Sequence, residues 1–207
     1  DEAFANEAKK SGNVVVASQL IYKEKPEVDA DGVKYYPIDT IIYPYEALRA
    51  QVTCAYTNVS QDSDRTVRRV LMKESYAGQE QTMFPQAIYE RYCEKTGQTI
   101  NTIASDKTGR TLINYSGKPG DYECISLVDV LQGKIDTRVF KDSIVLVGAY
   151  AAGMQDNFNV PNGGNQQMYG VEIHANILQA FMQNRFSVNG NPFLFGLLTG
   201  FVCAILH

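Results

Sequence analysis

Residues 193–206 read FLFGLLTGFVCAIL and contain no ionisable side chain. A helix on a protein surface needs a polar face, and this run offers none. Only two environments satisfy it. One is a protein interior that hides it on every side. The other is bilayer hydrocarbon, where a helix closes its backbone hydrogen bonds internally and its side chains meet lipid. The run is shorter than the ~20 residues that span a bilayer, and the sequence stops with it. It follows the turn-rich SVNGNP of residues 187–192, and the spacing of Gly196 and Gly200 suits close helix packing in a membrane. We read residues 192–207 as the start of a transmembrane helix and residues 1–191 as the domain it anchors. A buried C-terminal core helix is the alternative. At the other end the sequence opens at Asp1, directly in helix-forming residues, and reads as a segment of a longer protein.

The 207 residues are 44% hydrophobic, enough to bury a core. The charges are interspersed, 19 basic against 23 acidic. That balance excludes the basic face needed for nucleic acid and a polybasic membrane-surface patch. The cysteines, Cys54, Cys93, Cys124 and Cys203, form no CxxC pair, so a structural zinc site is not indicated. They are too sparse for a disulfide framework and fit buried thiols. A Cys93–Cys124 bridge stays open.

Residues 1–11 predict an amphipathic helix with Phe4 and Ala8 on one face, stopped by Gly12. Residues 14–17 predict a strand covered on both faces. Residues 23–43 predict a long loop or small hairpin around the DADG turn at 29–32, and residues 45–50 a short helix. Residues 52–58 and 67–76 predict two strands of one hairpin. Residues 84–95 predict a helix with Pro85 in its first turn, an apolar stripe of Ala87, Ile88 and Tyr92, and Gly97 as its stop. Residues 111–115 predict a strand. Ser126 and Asp129 resemble a capping box opening another short helix. Residues 144–147 predict a buried strand, and residues 171–183 a helix with a broad apolar face including Ile173, Ile177, Phe181 and Met182. The order implies an α/β fold: a central mixed, partly parallel sheet flanked by helices.

Few stretches carry chemistry. The Gly148–Gly153 loop is neither GxGxxG nor a Walker pattern, so a phosphate cradle is not indicated, and Gly148 is read as allowing a tight turn. Asp62 and Asp64 run into Arg65, Arg68 and Arg69, which fits ion pairs better than a calcium loop. His174 is the only histidine besides His207 and has no catalytic motif around it. No cofactor fingerprint is present, and no cofactor is expected.

Five stretches together resemble one family. FKDSIVLVGAYAAGMQDNFNVP (140–161) followed by MYGVEIHANILQAFM (168–182) is similar to the C-terminal signature of CHASE2 domains. DSDRTVRRV (62–70) resembles the family's Asp-x-Asp-Gly-x-x-Arg-Arg turn, with Arg65 in place of Gly. INYSG (113–117) and SLVDVLQG (126–133) fall in the expected order, and GVEIHAN is the most specific block. The resemblance also implies a strand ahead of Asp1.

The resemblance implies an extracytoplasmic sensory module of a bacterial membrane signalling protein, located at the cell membrane with the domain on the extracytoplasmic side. It implies a cytoplasmic output such as a nucleotide cyclase, a histidine kinase, a serine/threonine kinase or a cyclic-di-nucleotide enzyme. The expected partners are a small molecule or an envelope protein, the membrane, and a second copy in a homodimer. By analogy with ligand sites at strand ends of α/β folds, the expected ligand groups are Gly153, Asp156, Asn157 and Asn162, with His174. The rival classes are a soluble α/β hydrolase and a structural envelope-binding domain. The first lacks a nucleophile elbow and a metal cluster in the sequence.

Overall fold

The computed structural model describes residues 1–28, 32, 34–106 and 108–188. The expected transmembrane start and its connector at 189–192 lie outside the described residues, as does most of the DADG turn. No helix among the described residues is long and apolar enough to cross a membrane.

The fold is mixed α/β. Helix α1 (Glu2–Ser11) leads into the long strand β1 (Val15–Tyr22). A small hairpin, β2 (Glu27–Val28) and β3 (Lys34–Tyr35), precedes β4 (Ile38–Ile42), the short helix α2 (Glu46–Arg49) and β5 (Thr53–Tyr56). Then come β6 (Arg69–Leu71), β7 (Lys73–Tyr76), β8 (Gln79–Thr82) and helix α3 (Phe84–Thr96). The last part holds β9 (Arg110–Ile113), α4 (Leu127–Leu131), β10 (Asn157–Phe158), β11 (Met168–Tyr169), helix α5 (Gly170–Met182) and β12 (Phe186–Ser187).

The partly parallel sheet is present, in the order β4-β1-β5. Strand β1 does two jobs in sequence. Val15–Ser18 pair in parallel with β5, and Gln19–Tyr22 pair antiparallel with β4. Where β5 ends, Asn58 carries the ladder on with its side chain. Its Oδ1 accepts from Leu20 N at 2.7 Å and its Nδ2 donates to Leu20 O at 2.9 Å. A second, antiparallel sheet has the order β12-β9-β6.

The main core holds Phe181, Ile173 and Ile177 of α5 with Leu20, Val67, Val70, Met83 and Met168. Helix α3 docks on α5 partly through Tyr89, whose ring stacks on Phe181 at 5.1 Å. A satellite core of Ala5, Ala8 and Leu48 lies under α1 and α2. Gly12 and Gly97 end α1 and α3 in the left-handed conformation, φ 67° and 70°. Glycine adopts that geometry without a Cβ penalty.

Several expectations fail, each for a physical reason. Residues 144–147 form no strand; Val145 and Val147 are 51% and 72% exposed. Apolar composition nominates a strand, but a ladder partner makes one, and β4 and β5 are the strands that flank β1. Residues 67–76 do not pair with β5 as a hairpin. They divide into β6, which pairs with β9, and β7, which pairs with β8. Strand β1 runs past the predicted end at residue 17 because β4 supplies partners for Gln19–Tyr22, and Ala17 is exposed rather than covered. Phe4 is exposed, so Ala5 and Ala8 form the inward face of α1. On α3 the fully buried stripe is Ala87, Tyr89 and Cys93, with Ile88 and Tyr92 packed at its margin. Ser126 precedes α4 without a side-chain cap bond. Cys54, Cys93 and Cys124 are free thiols, with Cys93 buried and Cys124 exposed.

The 62–69 turn is an ion-pair cluster. Arg68 binds Asp64 with two hydrogen bonds of 2.8 Å, and Arg69 reaches Asp62 at 2.6 Å. The Arg68 guanidinium, with the turn's backbone bonds, holds the Asp64 carboxyl well below the usual range. Arg65 sits at φ 61°, a left-handed position that favours glycine, which explains why the resembling motif carries Gly there.

Candidate functional site

The signature helix α5 is built into the fold by its polar residues. Asn176 is fully buried. Its Oδ1 accepts from Ser116 N at 3.0 Å and Gly117 N at 2.9 Å, and its Nδ2 donates to Glu172 O at 3.0 Å. Glu172, one turn earlier, accepts from Gly120 N at 2.7 Å and from Tyr169 N at 3.1 Å. The two side chains thus satisfy the backbone of the 116–120 loop and the first turn of α5.

Two glycines permit the close approaches around that first turn. A Cβ on Gly148 would lie 2.7 Å from Val171 Cβ. Gly148 therefore serves close packing rather than the tight turn expected from sequence. A Cβ on Gly170 would lie 2.6 Å from both carboxylate oxygens of Asp156, whose backbone oxygen accepts from Gly170 N at 2.9 Å.

These contacts leave a cleft of about 380 Å³. Its walls are β1 (Ala17, Gln19), the segment after β5 (Thr57, Asn58, Val59), Phe84 at the start of α3, Val147 and Gly148, Asp156 and Phe158, and the first turns of α5 (Gly170, Val171, His174). Its volume falls in the range of small-molecule sites. A larger depression of about 490 Å³ lies beside it, lined by Gly120, Tyr150, Gln167, Tyr169 and Glu172 among others. Its carboxylate is Glu172, already bonded to two backbone amides, so we favour the cleft as the binding site.

Two of the five residues expected from sequence meet in the cleft, Asp156 and His174. Gly153 is exposed in a short 3₁₀ turn, Ala152–Met154. Asn157 lies on β10 and donates to Gln167 Oε1 at 2.5 Å. Asn162 donates to Gly117 O at 3.0 Å and lines neither depression. Asn58, Glu172 and Asn176 were missed. For the last two a signal existed: two polar side chains one helical turn apart on a helix that is otherwise deeply apolar.

The electrostatics of the two site residues differ. His174 is only 8% exposed, and its ring meets Phe84 edge to face at 5.7 Å. Burial pulls its pKa down to about 4, against a weaker opposing effect of a hydrogen bond to the Thr57 backbone. The ring is therefore neutral at neutral pH. Its Nδ1 is buried without a hydrogen-bond partner. Asp156 is half-buried, and burial raises its carboxyl above the ordinary value. Among the described residues its side chain has no hydrogen bond or ion pair, and no carboxylate, hydroxyl or thiol hydrogen-bonds to His174. Three acidic, histidine or cysteine groups placed to hold a metal do not occur among the described residues.

Burial of His174 makes stability pH-dependent. The unfolded chain takes up a proton below the ordinary histidine pKa of 6.5, while the folded chain resists until about 4. Stability should therefore fall as pH drops through that window. Asp156 works the other way, because the folded state takes up its proton more readily, so the His174 slope is cleanest in the upper part of the window. Urea denaturation of the parent chain and of His174→Gln checks this. The variant should lose the slope; an equal slope in both would locate it elsewhere.

A family model for the CHASE2 domain matches residues 1–206. A search of curated proteins and one of solved structures each returned no match.

Proposed function

The chain belongs to the CHASE2 family, whose members are extracytoplasmic sensory domains, and from that premise we propose that it is the ligand-receiving domain of a membrane-anchored bacterial receptor. Its ligand enters the cleft that joins β1, the 156–158 segment and the first turns of α5. The observation that carries the proposal is the pairing there of an unspent carboxylate, Asp156, with a buried imidazole whose Nδ1 has no partner. Buried polar groups are ordinarily satisfied, so an orphaned one beside an open cleft marks a place for a ligand atom.

A sensor must convert binding into a shift between two conformations, and the ligand must bind one of them better. Helix α5 suits this task. Its first turns wall the cleft, and its last turn leads through β12 towards the apolar run at 193–206, which we assign to the membrane. The receptor's output, a nucleotide cyclase or a kinase, belongs to the cytoplasmic side. Binding, not catalysis, is the proposed activity, since burial holds the His174 pKa at about 4, which makes it a weak base, and it has no relay partner among the described residues.

The placement is tested by topology. A single cysteine at Ser187, exposed on β12, is introduced into the full-length protein with the native cysteines replaced. An impermeant maleimide should label it in intact cells. Labelling only after lysis would put the domain in the cytoplasm, and recovery of the protein in the soluble fraction would remove the anchor.

A further inference from the structure

The cleft has a chemical bias. Asp156 is its one charged side chain, and no lysine or arginine lines it. His174 adds no positive charge near neutral pH. Its Nδ1 is buried without a hydrogen-bond partner. A carboxylate accepts and does not donate, so the one charged group of the cleft asks for a ligand that brings a donor to it.

Charge decides between ligand classes. The first turn of a helix attracts anions through its unpaired amides. Here a carboxylate already stands beside that turn: both Asp156 carboxylate oxygens lie 2.6 Å from where a Cβ on Gly170, the first residue of α5, would sit. An anionic ligand would meet that carboxylate without a cation to offset it. A divalent metal ion would need several oxygen ligands, and no such cluster exists among the described residues. The rest of the lining includes the rings of Phe84 and Phe158 and the side chains of Val59, Val147 and Val171. Aromatic faces accept cations as well as apolar bodies.

We propose that the cleft selects a small organic amine, its protonated nitrogen donating to Asp156 and its apolar body lying against Phe84, Phe158 and Val171. This rests on the reading of the cleft as the ligand site. A volume of about 380 Å³ holds a molecule of one ring and a short chain.

The test compares three probes of matched shape on the full chain by calorimetric titration: phenethylamine, 2-phenylethanol and 3-phenylpropionate. The amine should bind on the order of ten- to a hundredfold more tightly than the alcohol, the span of one charge-assisted hydrogen bond. The carboxylate should bind more weakly still. Asp156→Asn should erase the amine's advantage, and Ala17→Phe, which fills the cleft from β1, should abolish binding of all three. Alcohol or carboxylate binding as tight as the amine's, and lost in Ala17→Phe, would overturn the amine assignment and leave the cleft as the ligand site. Amine binding untouched by Ala17→Phe would place it elsewhere and overturn both, as would the absence of binding by any probe. The probe comparison on the unaltered chain decides the amine assignment even if a variant fails to fold.

Discussion

Replacing Asn176 by leucine is expected to cost about 2–5 kcal/mol of stability, although leucine fills a similar volume. Asn176 is fully buried, and its Oδ1 is the acceptor for two backbone amides, those of Ser116 and Gly117. Leucine offers no acceptor, so both donors stay buried without a partner. Each such orphan costs roughly 1–3 kcal/mol, because the water it left in the unfolded chain is not replaced. Domains are stable by only about 5–15 kcal/mol, so the loss is a large part of the total. The urea midpoint should drop sharply, and amide exchange at Ser116 and Gly117 should accelerate beyond the global change. An unchanged midpoint would mean that water or a shifted loop satisfies those amides.

Ile177→Ala is expected to cost a comparable amount, about 2–5 kcal/mol, through a different mechanism. Ile177 is fully buried in the main core, one turn from the equally buried Ile173. Truncation removes apolar contact and leaves a cavity that a close-packed core fills only in part. Met182 on the same helix gives the contrast. It was expected on the apolar face, but it is 47% exposed. Met182→Ala should stay within about 0.5 kcal/mol of the parent. Denaturation of the two variants side by side checks the facing of α5; equal losses would show that the helix is rotated from its described position.

Helix α5 was legible because its signal is local and periodic. Ile173, Ile177 and Phe181 repeat at one turn, and the predicted span of 171–183 differs by one residue at each end from Gly170–Met182. The stops of α1 and α3 were legible for the same reason, since Gly12 and Gly97 act through their own φ. The sheet was less so. Residues 144–147 are as apolar as a central strand, yet among the described residues no neighbouring strand pairs with them. Residues 38–42 alternate weakly, yet they form β4 because β1 presents an edge to them. A strand's state depends on a partner far along the chain, and composition carries no record of that partner.

The candidate site divides along the same line. From the sequence alone came the α/β class, the helices and their stops, the GVEIHAN block and the short list containing Asp156 and His174. These follow from residue type, period and order. Tertiary structure decided which polar groups are spent and which remain. Glu172, Asn176 and Asn58 are consumed by backbone amides and carbonyls and Asn157 by Gln167, while Asn162 spends its amide nitrogen on Gly117 O and keeps a buried Oδ1 without a partner, away from the cleft. Asp156 and the Nδ1 of His174 are left without partners beside one cleft. A hydrogen bond is satisfied within about 3 Å, and only the packed chain brings residues 45 to 60 positions apart to that distance.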